Sequence, residues 1–198
     1  EDIAPTASRF VAEQAGTRVV SLAAYSLFYD HRDDPLFPTE GYALRFSQEL
    51  AGLGGSVRYF KTTFAEQAHF RTIREDWITI LKMEVGLISG LGDDIAINDR
   101  FFIGGHKIRG FQRAGLGPRD ANTGDALGGT AYYVASTELT FPLGLPEDIG
   151  IRGSVFIDAG SLGRLGFSDQ DVNDVNSPRI TSGVGLTWIS PLGPLRFD

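Results

Sequence analysis

The sequence has no cysteine and a single methionine among 198 residues. Neither a disulfide framework nor a thiolate metal site can be built from it. The lack of thiols fits an oxidising compartment without requiring one. Positive charge is also scarce: 18 Lys and Arg stand against 25 Asp and Glu, a net charge of −7. The basic stripe that marks a nucleic-acid binder is missing, which argues against nucleic acid as a partner. No stretch reaches the roughly 18 consecutive apolar residues of a membrane helix. Glu1-Asp2-Ile3-Ala4-Pro5 has neither the basic region nor the apolar core of a signal peptide, so the chain reads as a mature protein or as a piece of a longer one. There is no repeat of about 20–50 residues, no heptad pattern and no convincing long helix.

What is there is alternation. Glycine is abundant at 25 residues and the mean hydropathy is near zero. A membrane β-barrel has that overall polarity, because only every second residue faces lipid. In residues 77–88, Trp77, Thr79, Leu81, Met83, Val85 and Leu87 oppose Lys82, Glu84 and Gly86. In 131–141, Tyr133, Ala135, Thr137, Leu139 and Phe141 oppose Ser136, Glu138 and Thr140. In 151–160, Ile151, Val155, Ile157 and Ala159 oppose Arg152, Ser154 and Asp158. Residues 42–50 and 182–189 alternate in the same way. Period 2 of this kind predicts half-buried strands. Residues 17–28 and 57–66 are predicted as two more, and an eighth begins at Leu195 and breaks off at Asp198, as if a longer barrel continued.

The connections differ in length. Residues 30–41, 142–148 and 190–194 form polar or proline-bearing turns. Residues 89–130 and 161–178 are long, and 51–54 is a short connection on the long-loop side. Short turns at one end and long loops at the other are an outer-membrane barrel pattern. The expected fold is therefore all-β, an antiparallel transmembrane β-barrel portion of about eight strands. Its inward charges Arg45, Glu49, Lys82, Glu84, Glu138, Arg152 and Asp158 require a wet lumen or ion-pair partners. Alternation alone fits equally a soluble antiparallel sheet with one solvated face, a β-sheet binding module.

The long loop carries Phe101-Phe102-Ile103-Gly104-Gly105-His106-Lys107-Ile108-Arg109-Gly110-Phe111. Loops beyond about 12–15 residues are functional or disordered, and the guanidinium, aromatic residue and glycines here read as folded and functional. The segment resembles the sixth extracellular loop of the BamA family, the outer-membrane assembly factors of Gram-negative bacteria. Gly115-Leu116-Gly117-Pro118-Arg119-Asp120 and Gly124-Asp125-Ala126-Leu127-Gly128-Gly129-Thr130 continue the resemblance. Trp188 through Phe197 resembles the family's penultimate barrel hairpin, and Pro38-Thr39-Glu40-Gly41-Tyr42 the periplasmic turn entering its ninth strand.

The resemblance implies that residues 1–198 are the C-terminal part of a 16-stranded surface-antigen barrel, with the POTRA domains, the first half of the barrel and its last strand outside this chain. Both sides of the family's lateral gate would lie outside it too, so recognition of substrate β-signals is assigned to no residue here. The implied function is non-enzymatic, energy-independent assembly and insertion of outer-membrane proteins, without a cofactor. The implied partners are nascent outer-membrane proteins, accessory assembly lipoproteins and outer-membrane lipid, in the cell outer membrane of a Gram-negative bacterium. The same resemblance leaves open a two-partner secretion or TamA-type translocation barrel. Upstream sequence would separate them: five POTRA domains favour assembly, two favour export. About eight strands alone would leave two open edges and are expected to self-associate through them.

In this family the loop folds into the barrel and its arginine meets carboxylates on the inner wall. The resemblance places Arg109 as that arginine, and Glu138 and Asp158 as its partners; alternation independently puts both carboxylates on the inward face. A guanidinium can hold two carboxylates at once, which Lys cannot. The contact is either a purely structural lock or one that also biases barrel conformations. Gly104, Gly105 and Gly110 are expected to let the loop turn in a crowded lumen, and Phe111 to be a packing anchor.

Other candidates are weaker. His31, His69 and His106 lack ligand spacing, so no metal site is expected. Asp169, Asp171, Asn173 and Asp174 faintly suggest an EF-hand but lack its central Gly and terminal Glu, which leaves a solvated acidic loop. Lys107 is not in a P-loop setting, and no nucleophile-elbow motif is present.

Overall fold

Eight antiparallel strands follow one another as neighbours in a single sheet. A computed structural model describes residues 8–14, 16–92, 94–146, 149–165, 170–173, 176–190 and 193–198. The strands are β1 (Leu22–Asp30), β2 (Gly41–Ala51), β3 (Tyr59–Arg71), β4 (Ile78–Gly90), β6 (Ala131–Pro142), β7 (Ile151–Gly163), β9 (Arg179–Ser190) and β10 (Gly193–Phe197). Two short strands, β5 (Arg119–Asp120) and β8 (Val172–Asn173), pair with each other between the long loops. The sheet order is β1-β2-β3-β4-β6-β7-β9-β10, and among the described residues β1 and β10 do not pair. Every connection joins neighbours, as in an up-and-down meander.

Strand edges depart from the sequence reading by a few residues. Residues 17–21 stand outside β1, and Trp77 lies in the turn before β4, where its ring stacks on Phe141 at 5.2 Å. Strand β3 runs on to Arg71, well past the expected end at 66, and β7 takes in Ser161, Leu162 and Gly163. The short connection on the long-loop side spans 52–58 rather than 51–54. Propensity and alternation weaken at strand ends, where cross-strand register decides the boundary. A four-residue helix, α1 (Arg9–Ala12), precedes the sheet, capped by the Ser8 hydroxyl accepting from the Phe10 N–H.

Register fixes the two faces. Arg45, Ala65, Glu84, Val134 and Gly160 form one row across the sheet, and Ala43, Gln67, Lys82, Ser136, Asp158 and Thr181 the next. This face is concave and receives the loop over 91–130. The opposite face carries exposed apolar side chains: Leu81, Met83, Ile157, Ile180, Val184 and Leu186 among them. Ile180 and Val184 are each 73 % exposed, so among the described residues nothing covers this part of the face. Tyr29 and Tyr42 meet at 5.9 Å near its short-turn end. An apolar band with aromatics at its rim is the outer surface of a membrane barrel.

The buried core therefore lies on the concave side, between loop and wall. Ile103, Ile108 and Leu116 of the loop pack with Tyr132, Val134 and Leu162 of β6 and β7. A second cluster joins Ala51, Val57, Tyr59, Ile88 and Ile95, and a third joins Phe10, Ile97, Leu127 and Leu165. Inward glycines are the seats for this packing. A Cβ on Gly160 would lie 2.5 Å from Ile108 Cδ1, and one on Gly86 would run into the Tyr132 ring.

Candidate functional site

Arg109 sits where the loop touches the wall. Strands β6 and β7 pair in a register that places Ser136 opposite Asp158 and Glu138 opposite Phe156. These four side chains share the inward face and surround the guanidinium. Arg109 Nε donates to Asp158 Oδ2 at 2.7 Å and Nη2 to Asp158 Oδ1 at 2.6 Å. Nη1 donates to Glu138 Oε2 at 2.9 Å and Nη2 to Ser136 Oγ at 3.0 Å. The Arg109 backbone N–H also donates to Asp158 Oδ2, at 3.1 Å. Beneath it, the guanidinium carbon lies 3.4 Å from the centroid of the Phe156 ring, a cation–π stack.

Burial sets the stakes. Asp158 is 1 % exposed and Glu138 2 %. Two carboxylates removed from water in this way are very costly unless cations and hydrogen bonds compensate them. A planar fork meets both at once.

The loop reaches this position by backbone geometry. Gly110 has φ +83°, a conformation that side chains rarely adopt, just after the arginine. Gly104 serves differently: a Cβ there would collide with the Gln112 carbonyl oxygen. Gly105 donates its N–H to the Phe111 and Gln112 carbonyls, closing the tip. Phe111 is half-buried against the loop–wall cluster, whereas Ile108 is fully buried and is the deeper anchor.

Several residues that sequence reading did not assign join the site. Arg196 on β10 donates from Nη2 to Glu138 Oε2 at 2.8 Å. It also holds Asp198 through Nε at 2.7 Å. Alternation carries the signal: Leu195 and Phe197 face outward, so Arg196 faces in. Lys107 forms a second contact, its Nζ 2.5 Å from Glu84 Oε1 and 3.1 Å from the Tyr132 hydroxyl. Tyr132 itself donates to Glu84 at 2.5 Å. Lys107, Glu84, Arg196 and Asp198, with Phe28, Arg45, Gln67 and Lys82, line an open recess of about 530 Å³ on the concave face.

The remaining charges and candidates fall elsewhere. Arg45 lies over Phe28, with its guanidinium carbon 5.6 Å from the ring centroid, and Arg152 donates to the Asp76 carbonyl at the short-turn end. His69 is buried in β3, His31 packs with Tyr29 and Tyr42 at the 31–40 turn, and His106 is exposed at the loop tip. Among the described residues, no three His, Asp or Glu side chains are grouped to hold a metal. Of the acidic loop, Asp171 pairs with Arg9 at 2.9 Å and Asn173 lies in β8. Asp169 and Asp174 lie outside the described residues.

Outside the membrane-spanning strands, two carboxylates are held below the usual carboxylate range. Asp33, in the 31–40 turn, accepts from the Thr39 hydroxyl and from the N–H groups of Glu40, Thr39 and Asp34, which lowers its pKa. Asp120, in β5, is lowered first by the Ser8 hydroxyl and then by the N–H groups of Asn122 and Thr123.

The loop and wall geometry can be set beside known proteins. The model of the Omp85 superfamily domain matches residues 1–198, the whole chain. The chain belongs to the Omp85 superfamily. Among its Omp85 relatives, the outer membrane protein assembly factor BamA of Neorickettsia risticii (strain Illinois) is 33 % identical over 198 residues, covering 100 % of this chain and 27 % of the relative. The human sorting and assembly machinery component 50 homolog is 33 % identical over 172 residues, covering 83 % of this chain and 36 % of the relative. The chain thus spans roughly a quarter to a third of the length of these relatives. The crystal structure of BamA from Haemophilus ducreyi lacking POTRA domains 1-3 superposes with a TM-score of 0.77 at 23 % identity, covering 88 % of this chain and 37 % of that one. The antiparallel sheet of this Omp85 chain is therefore that of a transmembrane barrel wall. The exposed apolar face, with family membership, sets aside the soluble binding module.

Proposed function

We propose that this chain forms the C-terminal wall and lumen plug of an outer-membrane barrel that assembles and inserts other β-barrel proteins. The observation that carries the reading is the long loop folded onto the inner wall, with Arg109 held by Asp158 and Glu138. The names of the matched relatives, an outer membrane protein assembly factor and a sorting and assembly machinery component, support assembly over export. In this reading the parent barrel has 16 strands and stands in the outer membrane of a Gram-negative bacterium. It works with nascent outer-membrane proteins, accessory lipoproteins and outer-membrane lipid. A strand entering lipid must never leave its backbone groups unpaired. A barrel wall that opens and thins the bilayer lowers that barrier with no covalent chemistry. Arg109, Gly110, Phe111, Glu138 and Asp158 act as the lock that seats the loop, with Gly104 and Gly105 shaping its turn.

The test is complementation in cells depleted of the natural full-length protein, using that protein carrying Arg109→Ala. Loss of outer-membrane protein levels that extra expression does not restore supports the loop as part of the assembly machinery. Normal growth with normal outer-membrane proteins reduces Arg109 to a dispensable contact and favours the two-partner secretion or TamA-type reading.

A further inference from the structure

Glu138 Oε2 accepts from two guanidinium groups that come from different parts of the fold. Arg109 of the loop approaches at 2.9 Å and Arg196 of β10 at 2.8 Å. Asp198 closes the circuit: it is chelated by Arg196 and its Oδ1 lies 3.8 Å from Arg109 Nη1. The charges alternate from Asp158 through Arg109, Glu138 and Arg196 to Asp198.

Strand β10 does not neighbour β6. Strands β9 and β7 stand between them, and their inward positions decide whether a side chain can cross. On β9 these positions include Gly183 and Gly185. A Cβ on Gly185 would lie 2.5 Å from Asp198 Oδ1, and one on Gly183 would lie 2.5 Å from Phe156 Cζ. Gly185 therefore leaves the space into which Asp198 reaches, and Gly183 the seat of the Phe156 ring that lies under Arg109.

We propose that Arg196 is a positioning residue for the inserted loop, acting on Arg109 through the shared carboxylate of Glu138, so that seating of the loop and pairing of β10 form one coupled equilibrium. The proposal rests on the reading of the loop as a seated plug. When β10 leaves β9, Glu138 Oε2 loses one of the two donors that hold it in place, and the carboxylate, whose Oε1 has no hydrogen-bond partner among the described residues, is free to turn away from Arg109. Coupling of this kind is reciprocal: unseating the loop loosens β10 to the same degree.

The experiment is hydrogen exchange, read by mass spectrometry on the natural full-length protein in lipid. Two segments are followed, 104–112 of the loop and 193–198 of β10. Arg109→Ala is the reference, and it raises exchange of the loop about tenfold or more if the loop is seated as described. Arg196→Ala is expected to raise exchange of the loop by a similar factor, and Arg109→Ala to raise exchange of β10. In a Glu138→Gln background, Arg196→Ala is expected to add nothing further to the loop, because the carrier of the coupling is already gone. Should Arg196→Ala fail to fold, Arg196→Lys gives the reading, with loop exchange between that of the wild type and Arg109→Ala. Loop exchange unchanged in the Arg196 variant, or an effect that persists undiminished in Glu138→Gln, overturns the coupling. No effect of Arg109→Ala on its own loop overturns the seated-plug reading instead.

Discussion

Arg109 and Asp158 are joined by three hydrogen bonds, one from the backbone N–H and two from the guanidinium, at 3.1, 2.7 and 2.6 Å. The backbone bond orients the loop and the guanidinium pair neutralises the carboxylate. Arg109→Ala removes the two side-chain bonds and leaves the buried Asp158 without its ion-pair partner, while Glu138 keeps Arg196. The expected loss of barrel stability is about 3–5 kcal/mol, the cost of an uncompensated buried charge. Arg109→Lys should recover only part of it, because an ammonium lacks the fork. Unfolding of the natural full-length protein in detergent measures both, and a loss below about 1 kcal/mol for the Ala variant would refute the lock.

The glycine seats give a steric prediction. A methyl group at position 160 meets Ile108 Cδ1, so Gly160→Ala should lift the loop and cost about 1–3 kcal/mol. Ile108→Val removes the clashing carbon and should return part of the loss. The return is partial because the Tyr133 carbonyl also lies 2.8 Å from the added atom. If the double variant is no more stable than Gly160→Ala alone, the seat is not what Gly160 provides.

The second loop contact is worth less. Lys107 and Glu84 are about one-third exposed, which discounts their attraction through solvent screening. A double-mutant cycle between Lys107→Ala and Glu84→Gln should give a coupling of about 0.5–1 kcal/mol, well below that of Arg109 with Glu138. Equal coupling energies would mean that burial does not rank the two anchors.

Face assignment makes the sharpest contrast. Val184→Lys puts a charge on the outward apolar band and should destabilise the inserted barrel by about 2–4 kcal/mol near mid-membrane. Thr63→Lys adds the same charge to the inward face, opposite Ser47 and Gly86 in a recess lined by Glu49 and Glu84, and should cost under about 1 kcal/mol. Heat-modified gel mobility of the two variants separates the cases; equal melting would contradict the register.

The turn over 31–40 predicts a pH dependence. The folded pKa of Asp33 is depressed, so its contribution is present above the unfolded carboxylate value of about 3.9 and is lost as pH falls through the folded value. Pepsin, active in that range, should cut at the exposed Leu36-Phe37 only at the acid end for the native chain. Asp33→Asn keeps the shape but cannot titrate, so cleavage in this variant should lose that dependence. Identical profiles would remove Asp33 as the group responsible.

Much of the wall was legible in the residues, and for a local reason. A side chain's face in a strand depends only on parity, so Lys82, Glu84, Glu138 and Asp158 declared themselves inward before any pairing was known. Strand ends were less legible, because Arg71 at the end of β3 and Gly163 at the end of β7 are held by cross-strand register rather than by their own alternation. The motif around Arg109 pointed to a loop with a charged anchor, the family resemblance named Glu138 and Asp158 as its wall partners, and parity agreed in facing both inward.

Only the tertiary structure decided what meets what. Ser8 bonds to Asp120 across 112 positions of sequence, and β5 pairs with β8 between two loops that have no periodicity to read. Arg196 meets Glu138 across 58 positions, past an intervening strand on which Gly185 leaves room for Asp198. By itself the sequence determined the strands, their faces and the chemistry available on each, because those follow from composition and a two-residue period. The structure decided the depth of the loop, the deeper seating of Ile108 beside Phe111, and the sharing of one carboxylate by two arginines. Those depend on the curvature of the sheet and the space above each glycine, which no local pattern encodes.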